Sequence, residues 1–130
     1  ISVDENYLFT ITDKVISNAS TDIQLKAYSQ VTRIDKPVTS GYYILHEGAI
    51  GVINSRLNEV DYDKLLKEKT IQQTTTGGWL GFTDKYWLVA LIPNQKTQSH
   101  TTFNGQEKGF LFRCQIEYDS QTLKPGQTLE

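Results

Sequence analysis

Apolar and polar residues alternate along the first quarter of the chain. Within residues 2–18, aromatic and aliphatic side chains recur at every second position, with Phe9 at the centre of the run. A period of two is the pattern of a half-buried β-strand. A second alternating run, residues 23–32, follows a polar cluster at residues 18–22. Two such runs joined by a polar turn predict an antiparallel hairpin, which ends before Pro37 because proline cannot donate to a strand ladder.

The middle of the chain is strand-like first and helical afterwards. Residues 42–54 form the strand-like run, and Gly48 and Gly51 inside it predict a bulge or a close approach of another backbone. Between residues 60 and 69, apolar residues recur at spacings of three and four, with acidic residues early and basic residues late. This order suits the helix dipole and predicts one short surface helix.

The last third of the chain contains the most apolar segment and a second hairpin. Seven consecutive apolar residues, 86–92, predict a strand that is buried on both faces. Residues 101–103 and 110–118 predict a final hairpin with its turn at residues 104–105. Strict alternation in the second arm places Cys114 on the inward face.

Composition agrees with these patterns on the fold class. β-Branched and aromatic residues occupy 47 of the 130 positions, against four alanines, and such residues are enriched in strands. The length suits one domain. We therefore expect an all-β protein with antiparallel hairpins and one short surface helix.

Charge and cysteine content narrow the class of protein further. The net charge of -2 argues against a nucleic-acid partner, and the apolar residues are too dispersed to span a bilayer. The single cysteine, Cys114, fits the cytosol without excluding export, because a large core needs no disulfide. Since the chain starts at Ile1 without a methionine, we expect it to be a piece of a longer protein.

Two histidines and a glutamate are the first candidates for acid–base chemistry. His46 and Glu47 are adjacent, and adjacent residues on a strand face opposite sides, so they do not converge on one substrate. His100 lies in a polar stretch and is expected to be solvated. We interpret all three as ordinary strand or loop residues.

Other reactive residue types also lack the spacing that chemistry requires. Asp61 and Asp63 do not face each other on a helix and have no calcium-loop context. A buried thiol such as Cys114 is usually inert, and Gly77–Gly78 lacks the pattern of a phosphate loop. We expect no catalytic, cofactor-binding or metal-binding residue.

Aromatic residues leave an alternative open. Trp79 and Trp87, with His46 and Glu47, would suit a carbohydrate-binding or carbohydrate-active cleft if their side chains met. Large rings in a β-domain are more often part of the core, and we expect the two tryptophans to be interior. The third hypothesis is an autonomous extracytoplasmic interaction module.

One segment resembles a known family. Residues 77–93 resemble the hallmark segment of the large periplasmic domain of the bacterial membrane protein insertase YidC, and residues 4–11 and 124–128 resemble flanking parts of that domain in the same order. The residues that match the central motif are Gly77, Gly78, Trp79, Tyr86, Trp87, Ile92 and Pro93.

The resemblance implies a fold and a place in a larger protein. It implies an antiparallel β-sandwich that is part of a β-supersandwich related to galactose mutarotase, and residues 1–128 would be the later part of that domain. Residues 129–130 suggest a vector-derived scar. The resemblance further implies a non-catalytic domain on the periplasmic face of the inner membrane, carried by a multi-pass parent that assists insertion and folding of inner-membrane proteins.

The resemblance also implies partners. These are the SecDF-YajC arm of the Sec translocase, with SecF contacting residues 22–75, and client membrane proteins that reach the parent. Within that stretch we expect a partner-contact strand carrying Tyr42, Ile44 and His46, with edges suited to β-augmentation. No cofactor is implied.

Overall fold

The computed structural model describes residues 1–38 and 45–130 and divides them between two compact units. Residues 1–26 and 120–130 form the terminal unit, and residues from Ala27 to Asp119 form the central unit. In chain order the elements are β1 (Ser2–Val3), β2 (Phe9–Thr10), β3 (Val15–Ile16), β4 (Ile23–Leu25), β5 (Tyr28–Ile34), β6 (Gly48–Ile53), β7 (Arg56–Asp61), α1 (Tyr62–Glu68), β8 (Thr70–Thr76), β9 (Trp79–Asp84), β10 (Trp87–Leu91), β11 (Gln98–Gln106), β12 (Leu111–Glu117), β13 (Gln121–Leu123) and β14 (Thr128–Leu129).

The central unit is an antiparallel sandwich of two four-stranded sheets. The first sheet has the order β10-β9-β6-β7 and the second has the order β5-β12-β11-β8. Burial alternates strictly along β12, where Phe112, Cys114 and Ile116 are inward and at most 2% exposed. The predicted class, an all-β sandwich with one short helix, is confirmed, and so are the final hairpin and the inward Cys114.

The core of the central unit is drawn from both sheets and from the helix. Its buried members are Ala49, Ile53, Val60, Tyr62, Leu65, Leu80, Phe82, Phe103, Phe112, Cys114 and Ile116. The Tyr62 ring meets the Phe112 ring edge-on, with centroids 4.7 Å apart. Removing a ring of this kind from a packed core typically costs about 3–5 kcal/mol.

Helix α1 forms where the 3.6-residue pattern predicts it, between residues 60 and 69. The carboxylate of Asp61 caps its first turn by accepting a hydrogen bond from the Lys64 backbone N–H at 2.7 Å. Although the helix is short, Tyr62 and Leu65 are buried. The helix therefore contributes one face to the core while its polar face stays at the surface.

The expected half-buried strand over residues 2–18 is wrong. The carboxylate of Asp4 accepts hydrogen bonds from the backbone N–H groups of Asn6 at 2.8 Å and Leu8 at 2.9 Å, and Tyr7 takes a positive φ of 61°. Local bonds of this kind compete with a strand ladder. Only the two-residue strands β1, β2 and β3 form here, and every residue from 1 to 16 is exposed.

The expected hairpin between residues 2–18 and 23–32 is also wrong. In the terminal unit β3 pairs with β14 and β4 pairs with β13. In the central unit β5 pairs with β12. Each of these partners lies far along the chain, where a local turn signal cannot specify it. Leu129 is part of β14, and the vector origin of residues 129–130 stays a prediction.

The apolar run at residues 86–92 is half of a hairpin rather than a strand buried on both faces. Lys85 and Tyr86 form a two-residue turn between β9 and β10, whose register pairs Trp87 with Asp84. Strand β9 is largely buried, whereas four of the five residues of β10 are exposed. The difference follows from position, because β10 is at the edge of the first sheet and β9 is inside it.

Within the run at residues 42–54, residues 42–44 lie outside the described residues, and strand β6 begins at Gly48. A Cβ at Gly51 would lie 2.7 Å from the carbonyl oxygen of Trp79, so the predicted close backbone approach is confirmed. Residues 104–105 are part of β11, and the turn of the final hairpin follows at residues 107–110. The expected turn position was therefore a few residues early.

Candidate functional site

The motif of residues 77–93 forms the β9–β10 hairpin and the turn that precedes it. Gly77 and Gly78 have φ values of 73° and 83°, and a Cβ at Gly78 would lie 2.1 Å from the carbonyl oxygen of Val52. Only glycine fits that position without moving the neighbouring strand. The prediction that the glycine pair forms a turn is confirmed.

Gln95 connects the two ends of this motif. Its Oε1 accepts a hydrogen bond from the backbone N–H of Gly78 at 3.0 Å. Its Nε2 donates to the carbonyl oxygens of Gly78 at 3.0 Å and Pro93 at 2.8 Å. Sequence reasoning missed this glutamine, because nothing in a lone polar residue after a Pro–Asn pair indicates such a bridge.

The two tryptophans of the motif lie on opposite faces of the first sheet. Trp87 faces Asp84 across the hairpin and shares the inward side with it, but it is 44% exposed at the sheet edge. Trp79 precedes the inward-facing Leu80 by one residue and therefore points outward. The expectation that both rings are interior is wrong, and they do not line a common cleft.

A buried polar cluster joins the helix to both sheets of the central unit. The hydroxyl of Tyr62 donates to Asp84 Oδ1 at 2.7 Å. Arg33 Nε lies 3.2 Å from Asp84 Oδ2 as an ion pair, without the alignment of a hydrogen bond. The Arg33 guanidinium also stands 5.8 Å from the centre of a Trp87 ring. These contacts connect α1, β5, β9 and β10.

Electrostatics make this cluster a structural clamp. Burial, followed by the hydrogen bond to Asp84, raises the pKa of the Tyr62 hydroxyl well above its ordinary value of 10.0. Tyr62 therefore remains a neutral donor at physiological pH. Arg33 places a positive charge beside the Asp84 carboxylate, so the carboxylate has little tendency to take the hydroxyl proton of Tyr62. The three residues are too far apart in sequence for any spacing rule to reveal them.

The interpretation of His46 and Glu47 as neighbours on a strand is wrong, because both precede β6, which begins at Gly48. His46 Nε2 lies 2.8 Å from the carbonyl oxygen of Ala49, and Glu47 is buried and engaged with another residue. Tyr42 and Ile44, the other residues of the expected partner-contact strand, lie outside the described residues. The following strand β6 is paired on both sides, by β7 and β9. It offers no free edge, so β-augmentation along residues 48–52 is ruled out.

His100 is half-exposed but not free. Its Nε2 lies 2.9 Å from Asp119 Oδ1, and its Nδ1 lies 3.2 Å from the Thr74 hydroxyl. The side chain is 44% exposed, which fits the expected solvated position. Burial raises the pKa of the Cys114 thiol well above its ordinary value of 9.0, so the thiol stays protonated at neutral pH.

The outer face of the second sheet carries a polar groove of about 700 Å³. Amide and hydroxyl side chains from β8, β11 and β12 line it. The alternation of residues along β8 and β11 does indicate a polar outer face, but such a face is ordinarily interpreted as a solvated surface rather than as a groove.

The described residues contain neither a metal-binding cluster nor a helix suited to span a membrane. Residues 1–38 and 45–130 contain no group of three or more histidine, cysteine or acidic side chains placed to hold a metal ion. Within the same ranges, no helix has both the length and the apolar character needed to cross a membrane.

Comparison with known proteins gives a consistent result. The family model described as the YidC periplasmic domain matches residues 1–130. Membrane protein insertase YidC of Sinorhizobium fredii is 41% identical over 132 residues, and that of Rhizobium etli is 44% identical over 133 residues. Both matches cover 100% of this chain and 22% of the relative. The insertase YidC of Nitrobacter hamburgensis is 40% identical over 131 residues, covering 98% of this chain and 22% of the relative. The chain thus spans about a fifth of the length of these curated relatives.

Proposed function

Because the chain belongs to the YidC periplasmic domain family, we propose that it is the non-catalytic periplasmic part of a membrane protein insertase and a docking surface for the Sec translocase, through SecDF. In this proposal the parent lies in the inner membrane, the domain is on its periplasmic face, and the parent assists insertion and folding of client membrane proteins. Family membership supports the insertase setting. The docking role is supported by one side of the central unit.

That side, which we call the open side, consists of the edge strands β5 and β10. Each pairs with one neighbour among the described residues, β12 for β5 and β9 for β10, and the two strands are close to each other. Tyr28 and Ile34 of β5 and Leu88 of β10 are 65%, 62% and 55% exposed. Strand edges with exposed apolar side chains are suited to pairing with another chain.

Strand β5 also lies within residues 22–75, where the resemblance places the SecF contact. Since β6 has no free edge, β5 is a better candidate for β-augmentation than the segment around residues 42–52. The partner-contact segment with Tyr42, Ile44 and His46 is retained as a proposal for side-chain contacts, and His46→Glu tests it in the assay below.

The first sheet supplies a matched pair of leucines for the test. Leu88 on β10 and Leu57 on β7 are 55% and 60% exposed, and they occupy the two opposite edges of the same sheet. We expect Leu88→Glu to weaken binding of detergent-solubilised SecDF to the immobilised chain by at least about tenfold, which is 1.4 kcal/mol. Leu57→Glu should change it by less than about twofold, as is usual for surface substitutions away from a contact.

Biolayer interferometry measures both affinities, and thermal unfolding followed by circular dichroism checks that both variants fold. Equal binding by Leu88→Glu and the unmodified chain would refute docking on the open side. If SecDF does not bind even the full-length parent, the docking role itself is wrong.

A further inference from the structure

The groove on the second sheet is built from three transverse rows of outward-facing side chains. Residues directly opposite each other on antiparallel strands share a face. The register places Glu117, His100 and Thr74 in the first row, and Gln115, Thr102 and Gln72 in the second. Arg113, Asn104 and Thr70 form the third row. Every member of the grid has a polar side chain that can form hydrogen bonds.

Hydrogen bonds within the grid fix several of these side chains. Asn104 Nδ2 donates to the Thr70 hydroxyl at 2.9 Å, and Gln115 Nε2 donates to Glu117 Oε1 at 2.5 Å. His100 is held between Thr74 and Asp119. A ligand in the groove would therefore meet polar groups whose positions are already set, and this reduces the entropy cost of binding.

Arg113 is the exception in this network. Its Nε is buried and has no hydrogen-bond partner among the described residues. A buried donor without an acceptor is rare in folded proteins, because burial without a partner costs free energy. The Arg113 side chain lines the groove in the third row, beside Asn104. Although Nε itself is covered, the terminal N–H groups of the guanidinium can donate to an acceptor oxygen of a ligand in the groove.

Charge and composition select the class of ligand. The grid contains one basic residue of the Lys/Arg type, Arg113, and one acidic residue, Glu117, so it has no excess of either charge. A phosphate-rich ligand would need excess positive charge, and a lipid or drug-like ligand would need an apolar lining. Amides and hydroxyls that both donate and accept fit a neutral ligand that carries many hydroxyl groups.

We propose that this groove is a binding site for a neutral oligosaccharide. Its volume of about 700 Å³ is within the range of small-molecule sites, roughly 300–1,000 Å³, and suits a di- or trisaccharide. Tyr28 continues the first row beyond Glu117, on the adjacent strand β5, and is 65% exposed. Its ring offers an apolar face to the C–H groups of a sugar at the groove rim. The proposal does not rest on docking to SecDF, although Tyr28 belongs to both surfaces.

The test is an NMR titration of the 130-residue chain with maltotriose, triacetylchitotriose and xylotriose. Glycerol and inorganic phosphate serve as comparison ligands. We expect at least one trisaccharide to bind with a dissociation constant near or below about 1 mM, a value that corresponds to -4.1 kcal/mol. The backbone amide signals of Thr102 and Gln115 should shift, and glycerol should bind at least tenfold more weakly.

Two groove variants and one control separate the site from a general surface effect. Arg113→Met keeps the aliphatic stem and removes the donors, so affinity should fall at least about tenfold. Gln72→Ala is on an exposed edge position and leaves the core intact, so it should weaken binding even if Arg113→Met fails to fold. Arg56→Met, on an exposed position of the other sheet, should leave the affinity unchanged.

Three results would overturn the proposal. The first is the absence of any shift with all three trisaccharides up to 20 mM, a limit set by roughly millimolar affinity. The second is a set of shifts that map outside the groove or survive Gln72→Ala unchanged. The third is binding of inorganic phosphate alone, which would assign Arg113 to an anion site instead.

Discussion

Replacing Tyr62 by phenylalanine isolates the contribution of one hydroxyl to the stability of the central unit. The ring contacts remain, including the edge-on contact with Phe112 at 4.7 Å. The loss is the 2.7 Å hydrogen bond to Asp84, after which one oxygen of a carboxylate that is only 8% exposed has lost its donor. Hydrogen bonds to charged groups contribute about 1.5–3 kcal/mol. Because the site is buried, we expect a loss of about 2–3 kcal/mol in the free energy of unfolding at pH 7.

The same substitution changes how stability depends on pH. The folded state raises the pKa of Tyr62, so at high pH the unfolded chain releases a proton that the folded chain still holds. The stabilisation is therefore complete below pH about 10 and decreases as the pH rises further. One proton corresponds to about 1.4 kcal/mol per pH unit. Tyr62→Phe should reduce the alkaline slope by that amount.

Urea unfolding followed by tryptophan fluorescence measures both effects, since Trp79 and Trp87 are both in the central unit. Tyr28→Phe is the matched control, because the ring is 65% exposed and its hydroxyl should be worth less than about 0.5 kcal/mol. In a double-mutant cycle with Asp84→Asn, the coupling with Tyr62→Phe should exceed about 0.5 kcal/mol. A loss at Tyr62 no larger than at Tyr28, or an unchanged alkaline slope, would refute the clamp.

Two further predictions concern the motif hairpin and the buried thiol. Gln95→Ala removes three hydrogen bonds to Gly78 and Pro93, and since the glutamine is exposed we expect the free energy of unfolding in urea to fall by about 1–2 kcal/mol. Gln95→Glu keeps only the acceptor and should reduce the free energy of unfolding by a comparable amount. Full stability of both variants would contradict the bridge. At pH 8, Cys114 should react with a thiol reagent only as fast as the protein unfolds, because the thiol is buried and its pKa is raised. A faster reaction in the folded state would contradict this prediction and would show that the strand opens locally.

Local sequence patterns predicted an element well wherever the burial of one face of that element determines its secondary structure. The alternation around Cys114 gave the inward face of β12, and the 3.6-residue pattern with Asp61 at its start gave α1. In both cases the residues that determine the structure are neighbours in sequence, so a period and a cap are sufficient. Strand pairing did not follow from neighbours, because β5 pairs with β12 across most of the central unit.

Exposure was the quantity that the sequence misjudged most. The seven apolar residues from Tyr86 to Ile92 suggested a fully buried strand, yet Trp87 and Leu88 are 44% and 55% exposed. Apolar content reports the tendency to be covered, whereas the position of a strand in the sheet determines whether a neighbour covers it. Periodicity carries no information on that position, so an apolar edge strand and an apolar central strand have the same sequence signature.

The motif of residues 77–93 indicates a family but not a chemical site, because its residues bond mainly with one another and with neighbouring parts of the core. Gly78 and Pro93 are linked through Gln95. The hairpin between them places Trp87 beside the clamp of Arg33 and Asp84. The groups that the motif brings together are therefore engaged with one another. Surfaces with unused hydrogen-bonding or apolar capacity lie on the exposed edge of β10, which is part of the motif, and in the groove beside Arg113, which is not. Binding by this domain is consequently expected at positions that the motif itself does not contain, except along the outer edge of β10, where scaffold and surface share the same strand.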